Sequence, residues 1–517
     1  KTICTYYGIN GTSITNEIEL TGIEITQGIQ NLLNDQVTLI QDRPTFVRAH
    51  VKSTTGNVQN VSLRLIGRRS DGTALEGSPL LPENDGVTIT VKADPYRGHI
   101  NDSFYFKFPF SWRNGSIDLE LEGATHDIVC KDKAQIDNDC FASVTFTESP
   151  PAEVRFVGIT YKENNIEYTP DRDEIDYLAE EIFSTLPVPY LDYDYPYSIK
   201  PLIFDGAPSN SIQFLRLNEM LRINRIMDGC VNSWPVNCRT YYLGIITNQP
   251  STTELNGQAG GIPSNVATSY ITNRFSPSHE LMHAMGRSHT EYTGNESGAD
   301  DRYPYEYGWI SQETSDDNAQ TFFGFDIIGK RIYGPTTGDI MSYAYRRWVS
   351  DWTYNALQEY LSSFYISQNS TELLRADEPA IVISGLIYPS SETGSIGSIF
   401  NFSSPVSTSL PESGNYSIRF EDSVGQEIAT YLFNPEFGIE DIIGSRNFQI
   451  EEEIGTFSLL LPWEMNTAKV ILLHGSNQLD TIIPSNNQPN VSLLYPNGYE
   501  VLTDDKVTVS WTGSDLD

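Results

Sequence analysis

His279-Glu280-Leu281-Met282-His283-Ala284-Met285-Gly286-Arg287-Ser288-His289 follows the pattern H-E-x-x-H-x-x-G-x-x-H. On an α-helix His279 and His283 stand one turn apart on the same face, so both imidazoles can reach one cation. Glu280 follows the first ligand and can lean toward a water at that cation, which suits a general base. Gly286 can take the left-handed conformation that ends a helix, turning the chain so that His289 reaches the same ion. Three neutral imidazoles with an open fourth position form a catalytic rather than a structural zinc arrangement, with one ion expected. The chain has seven histidines and three lie in this window, a concentration that chance explains poorly. The competing reading is an amphipathic core helix with Leu281, Met282, Ala284 and Met285 inward and the histidines merely satisfied.

Downstream stands Asp339-Ile340-Met341-Ser342-Tyr343. Together the two motifs resemble those of the metzincin clan of zinc metallopeptidases. The resemblance implies zinc held by His279, His283 and His289, with Glu280 as the catalytic base. It places Met341 in a methionine turn beneath the histidines. It also matches Tyr343 to the tyrosine that, in the astacin-like and serralysin-like branches, is a further zinc ligand that swings away to stabilise the oxyanion. Thr290, after the third histidine, matches none of the astacin, adamalysin, matrixin or serralysin residues there, so the resemblance stands at the level of the clan.

Outward from this centre, residues 151–370 read as an α+β, metzincin-like catalytic domain. Val154 to Ile159 and Tyr241 to Thr247 read as strands, and Ser211 to Met227 as a helix. Thr169-Pro170 with Asp171, Asp173 and Glu174 reads as a helix start, followed by the stripe Ile175, Leu178, Ile182, Leu186. Gly260 to Ala267 is expected to be an edge strand, and Pro263 suits an edge because its missing N–H need not serve a ladder. By the clan resemblance that edge pairs with an extended substrate, making Gly260, Gly261 and Ile262 substrate-binding candidates. Ser276-Pro277 begins or kinks the zinc helix, and a helix is expected from Ser350 to Leu361.

The flanks read as all-β. Residues 1–150 form an N-terminal sandwich module in which Val61 to Leu65, Val87 to Val91 and Ile117 to Leu121 alternate apolar with polar. Thr147 to Pro151 is a linker. Residues 371–487 form a second sandwich, with strands at Ala380 to Ile383, Tyr416 to Phe420 and Phe457 to Leu461. Residues 488–517 resemble the opening strands of an immunoglobulin-like or fibronectin-like domain. The fold class is therefore multidomain, a catalytic α+β domain between all-β sandwiches.

The 517 residues carry a formal charge of -35. No basic footprint is available for phosphates, which argues against nucleic acid as a partner. Such acidity also suits Ca2+ sites, but no EF-hand or RTX repeat is present, and a solvated acidic surface is the simpler reading. No apolar run is long enough to span a membrane. The chain starts at Lys1, so a processed product is expected. Cys130 with Cys140, and Cys230 with Cys238, would each close a small loop in an oxidising compartment, leaving Cys4 over. The expected function is a secreted or cell-surface zinc endopeptidase acting on protein or peptide substrates. The alternative is an adhesin or surface-layer binding protein with a vestigial or self-processing zinc site.

Overall fold

The structure, a computed structural model, describes residues 18–131, 140–194, 201–228, 230, 238–250, 253, 255–292, 298–363, 378–404, 413–442, 454–483, 490–498 and 509–514. Cys4 and residues 499–508, within the stretch expected to open an immunoglobulin-like or fibronectin-like domain, lie outside them. The chain divides into two compact units, Lys1–Leu374 with Phe437–Glu451, and Arg375–Glu436 with Glu452–Asp517. No described helix is long and apolar enough to cross a membrane.

The first unit opens with a sandwich of two four-stranded sheets. In one, Ile18–Thr26 lies between Ile128–Cys130 and Phe46–Ser53, which in turn pairs with Ser103–Lys107. In the other, Ser116–Gly123 lies between Phe141–Thr147 and Leu63–Arg69. Ile117, Leu119 and Leu121 point into a core with Ile18, Leu20, Leu63, Leu65 and Trp112, as their alternation predicts. Two expected strands are interrupted: Ser62 separates Val58–Val61 from Leu63–Arg69, and a 3-10 turn at Asp85–Val87 precedes Ile89–Val91. One bond ties the two interruptions together, Ser62 Oγ donating to the Val87 carbonyl at 2.7 Å. Both expected disulfides form, Cys130–Cys140 and Cys230–Cys238.

After the linker comes a mixed sheet. Ala152–Glu163 and Tyr241–Ile246 run parallel, Val266–Tyr270 continues parallel, and Leu255–Ala259 closes back antiparallel. Its two faces carry different helices. Helices α1 (Arg172–Thr185), α3 (Ser276–Ala284) and α4 (Asp351–Ser363) share a core with Leu243 and Ile245. Helix α2 (Ser211–Met227) packs on the other face, where Leu221 meets Tyr242 and Val266. Alternate residues of one strand thus serve both sides, which explains why Tyr241–Ile246 is buried throughout.

The start of α1 differs from expectation by two residues. Asp171, not Thr169, is the N-cap: its carboxylate accepts from Glu174 N at 2.9 Å while Glu174 returns the bond to Asp171 N at 3.0 Å. This reciprocal box satisfies two orphan donors, which a threonine before proline at 169 does not. The edge strand also differs. Gly260 to Pro263 form a turn, and Val266–Tyr270 is an interior strand, so the place expected for Gly260 to Ala267 at the edge of the 151–370 strands belongs to Leu255–Ala259, which carries Ile439–Ile442 on its outer side. Glycines and a proline suit the turn of that hairpin better than its ladder.

The N-terminal sandwich is built into the same unit. Trp348 Nε1 donates to the Gly28 carbonyl at 2.7 Å, and Ile29–Gln30 pairs with Phe323–Phe325. Arg43 is wholly buried and donates to the carbonyls of Phe183, Ser184 and Val188 at the end of α1.

The second unit is a β-sandwich. One sheet contains Thr393–Ser404, Glu378–Tyr388 and Gly455–Pro462; the other runs Glu427–Phe433, Tyr416–Glu421, Lys469–His474 and Asn477–Ile482. Ile381, Ile383, Ile418, Phe420, Phe457 and Leu472 share its core. Asn490–Tyr495 and Ser510–Ser514 pair antiparallel.

Candidate metal centre

Helix α3 begins at Ser276 with Pro277 in its first turn, so the proline starts the helix rather than kinking it. All nine residues are buried. Leu281, Met282, Ala284 and Met285 face the core beside Ile340 and Met341. One helix therefore packs an apolar face into the core and carries two histidines of a candidate metal group, His279 and His283, on another.

The helix ends as Gly286 allows. At φ 83° this glycine donates to the His283 carbonyl at 2.8 Å, and Arg287 N donates to the Met282 carbonyl at 2.9 Å. Such paired closing bonds are the Schellman arrangement, and they need the left-handed residue. The reversal carries His289 back. His283 Nε2 stands 2.9 Å from His279 Nε2 and 3.0 Å from His289 Nε2. Around a tetrahedral zinc, imidazole nitrogens lie about 3.3 Å apart, and His283 stands near that spacing from both of the other histidines, with ligand atoms of all three within 4.8 Å of one another.

The remaining ring nitrogens orient these ligands. His279 Nδ1 donates to the Ile340 carbonyl at 2.7 Å, and His283 Nδ1 to the Arg287 carbonyl at 2.6 Å. With Nδ1 protonated, each Nε2 keeps its lone pair for a metal. Burial, reinforced by Arg347 and His289, holds the His279 imidazole well below its usual pKa, so it stays neutral. The three histidines are the candidate metal-binding group among the described residues, and their donor set is compatible with zinc.

Met341 and Tyr343 sit on a tight turn beside this group. Asp339 is fully buried; its carboxylate accepts from Met341 N at 2.7 Å and from Ser350 N at 2.9 Å. The turn so held presents the Ile340 carbonyl to His279 and the Met341 carbonyl to Thr290 N at 3.1 Å. The half-buried Tyr343 ring is centred 4.7 Å from the His289 ring.

Glu280 is fully buried between α3 and the edge strand. A Cβ placed on Gly257 would come 2.6 Å from Glu280 Cγ and 2.8 Å from Oε1, so only glycine fits against this carboxylate. Gly260, Gly261 and Ile262 lie farther along, in the turn beside the C-terminal end of α3, where Ser264 N donates to the Ala284 carbonyl and Arg222 to the Gly260 carbonyl.

Three residues near the site escaped the sequence reading. Gly257 had a signal, since an isolated glycine in a strand marks a bulge or a close approach. Asp339 was in view within the methionine motif, but a buried carboxylate bracing a turn has no sequence signature. Arg347, buried with Nη1 3.3 Å from His279 Nδ1 and 3.0 Å from the Ser342 carbonyl, had none either. No family model matches this chain, and no characterised protein matches it in sequence.

Proposed function

We propose that the chain is a zinc-dependent endopeptidase of metzincin type that acts in an oxidising, extracellular setting. The observation that carries this reading is the convergence of three Nε2 atoms, two of them on rings oriented by backbone carbonyls, next to the buried Glu280. Zinc bound there would acidify water at its open position toward neutrality and polarise a scissile carbonyl. Glu280 takes the proton of the attacking water and delivers it to the leaving amine. Tyr343, beside His289, donates its hydroxyl to the oxyanion. The strand Leu255–Ala259, once its outer side is free of Ile439–Ile442, would hold the peptide extended by main-chain hydrogen bonds. The two disulfides support the location.

The test is cleavage of a mixed peptide library by the wild-type chain and by Glu280→Gln, each with and without chelator. The expected outcome is zinc-dependent cleavage that falls by about a hundredfold or more in the variant while zinc remains bound. Undiminished cleavage in the variant removes Glu280 as the base. Saturable protein binding that survives chelation, with no cleavage, favours the adhesin reading.

A further inference from the structure

The edge strand Leu255–Ala259 is not bare. Its outer side is paired antiparallel with Ile439–Ile442, in the register Ala259 to Ile439, Gln258 to Glu440, Gly257 to Asp441 and Leu255 to Ile442. This partner comes from far downstream. Residues Phe437–Glu451 belong to the compact unit that holds the metal centre, although the sequence on both sides of them belongs to the other unit. The chain therefore leaves one fold to place a strand on another.

Where the strand lies matters more than that it pairs. Gly257 is the residue that packs against Glu280, and Asp441 is its register partner, so the added strand runs level with the candidate base and also contacts α3. Its approach is close. A Cβ on Gly438 would stand 2.8 Å from Leu215 Cδ2 and 3.0 Å from Gln258 Cδ, a separation that a larger residue does not keep without displacing one side. An open sheet edge is the surface on which an extended peptide docks, and a strand already bonded there uses the same N–H and C=O groups.

From this juxtaposition we infer that Ile439–Ile442 is a built-in latch, occupying the edge on which a peptide substrate must pair and keeping the site latent until it is withdrawn. The inference rests on the peptidase reading for its consequence, but the occupancy of the edge is testable without it. If the unlatched form is populated at about one part in ten or less, releasing the latch raises apparent kcat/KM on the order of tenfold or more.

The experiment compares the zinc-loaded full chain with two variants, Asp441→Pro, which removes the N–H opposite Gly257, and Gly438→Phe, which overfills the contact with Leu215 and Gln258. Amide exchange is followed at Gly257 and Ala259, alongside cleavage of the peptide library. The inference expects faster exchange at these amides, cleavage raised as above, and renewed inhibition by an added synthetic peptide spanning 436–442. Unchanged exchange in both variants overturns it. So does faster exchange with unchanged or reduced cleavage relative to an active wild type, which makes the strand scaffold. If no form cleaves the library, the peptidase reading fails separately, and the latch is judged by labelled 436–442 peptide: binding to the variants but not to wild type upholds it, and no binding overturns it.

Discussion

Gly257 and Glu280 meet across the gap between the edge strand and α3 so closely that a single methyl group on the glycine would stand 2.8 Å from the carboxylate Oε1. The close approach lets a peptide-pairing backbone and a proton-transferring side chain share one small space. Gly257→Ala is therefore expected to push Glu280 aside. Overpacking of this kind costs about 1–3 kcal/mol of stability. The larger effect is on turnover, where displacing a reacting group by a fraction of an ångström costs on the order of tenfold to a hundredfold. Zinc content by metal analysis and kcat on a cleaved peptide check this together. Loss of zinc would point instead to a collapse of α3, and unchanged kcat would mean that Glu280 does not act from its observed position.

Asp339 offers a prediction about metal affinity rather than catalysis. It touches no histidine, yet its two carboxylate oxygens hold Met341 N and Ser350 N, and the turn between them supplies the carbonyl that orients His279. Asp339→Ala leaves two buried N–H groups without their acceptor, at about 1–3 kcal/mol each. Freed of its brace, the Ile340 carbonyl no longer fixes the His279 ring, and zinc affinity is expected to fall by about tenfold to a hundredfold. Competition with a fluorescent chelator measures it. Asp339→Asn, which keeps one acceptor, should lie between the two; equal affinity in all three proteins would show that the turn needs no carboxylate.

Much of this site was legible in the sequence because its geometry is local. The i, i+4 histidines, Gly286 at the helix end and the return to His289 all follow from the conformational limits of eleven consecutive residues. Other local signals held as well: the stripe from Ile175 to Leu186, the α2 boundaries, and the alternation through Ile117 to Leu121. What escaped was non-local. Residues 260–267 carry edge-like chemistry in Pro263, yet the ladder order of a hairpin is decided by which strand finds an inner partner, and Tyr241–Ile246 selected Val266–Tyr270. The pairing of Ile439–Ile442 with Leu255–Ala259 joins Ala259 to Ile439, 180 residues apart in the chain, and no periodicity reports such a contact. The same is true of Arg43 and Trp348, whose partners tie the N-terminal sandwich to the core that also receives α3.

A last prediction concerns that support and its dependence on pH. Glu24 is fully buried and accepts from Arg48 at 3.3 Å, His50 at 3.1 Å and Arg97 at 2.9 Å, while Arg97 also donates to the Thr321 carbonyl beyond the sandwich at 2.9 Å. Burial alone would raise the Glu24 carboxyl, but the two guanidiniums outweigh it and hold it well below the usual carboxylate range. His50 is pushed down to about 4, chiefly by burial and further by Arg48 and Arg97, against the pull of Glu24. Its folded pKa therefore lies below its unfolded value of 6.5, so the unfolded chain takes up a proton first as the pH falls. Stability is full above that value and is lost between about 6.5 and about 4, by on the order of 3 kcal/mol from this group. Glu24 then extends the loss into more acid solution, since its proton too is bound first by the unfolded chain. Thermal midpoints measured at about pH 7 and about pH 5 should fall for wild type and fall less for His50→Gln, which retains a donor toward Glu24 but cannot titrate. Equal falls in the two proteins would place the acid sensitivity elsewhere, and a flat wild-type midpoint would mean that His50 is already accommodated with its proton in the folded cluster.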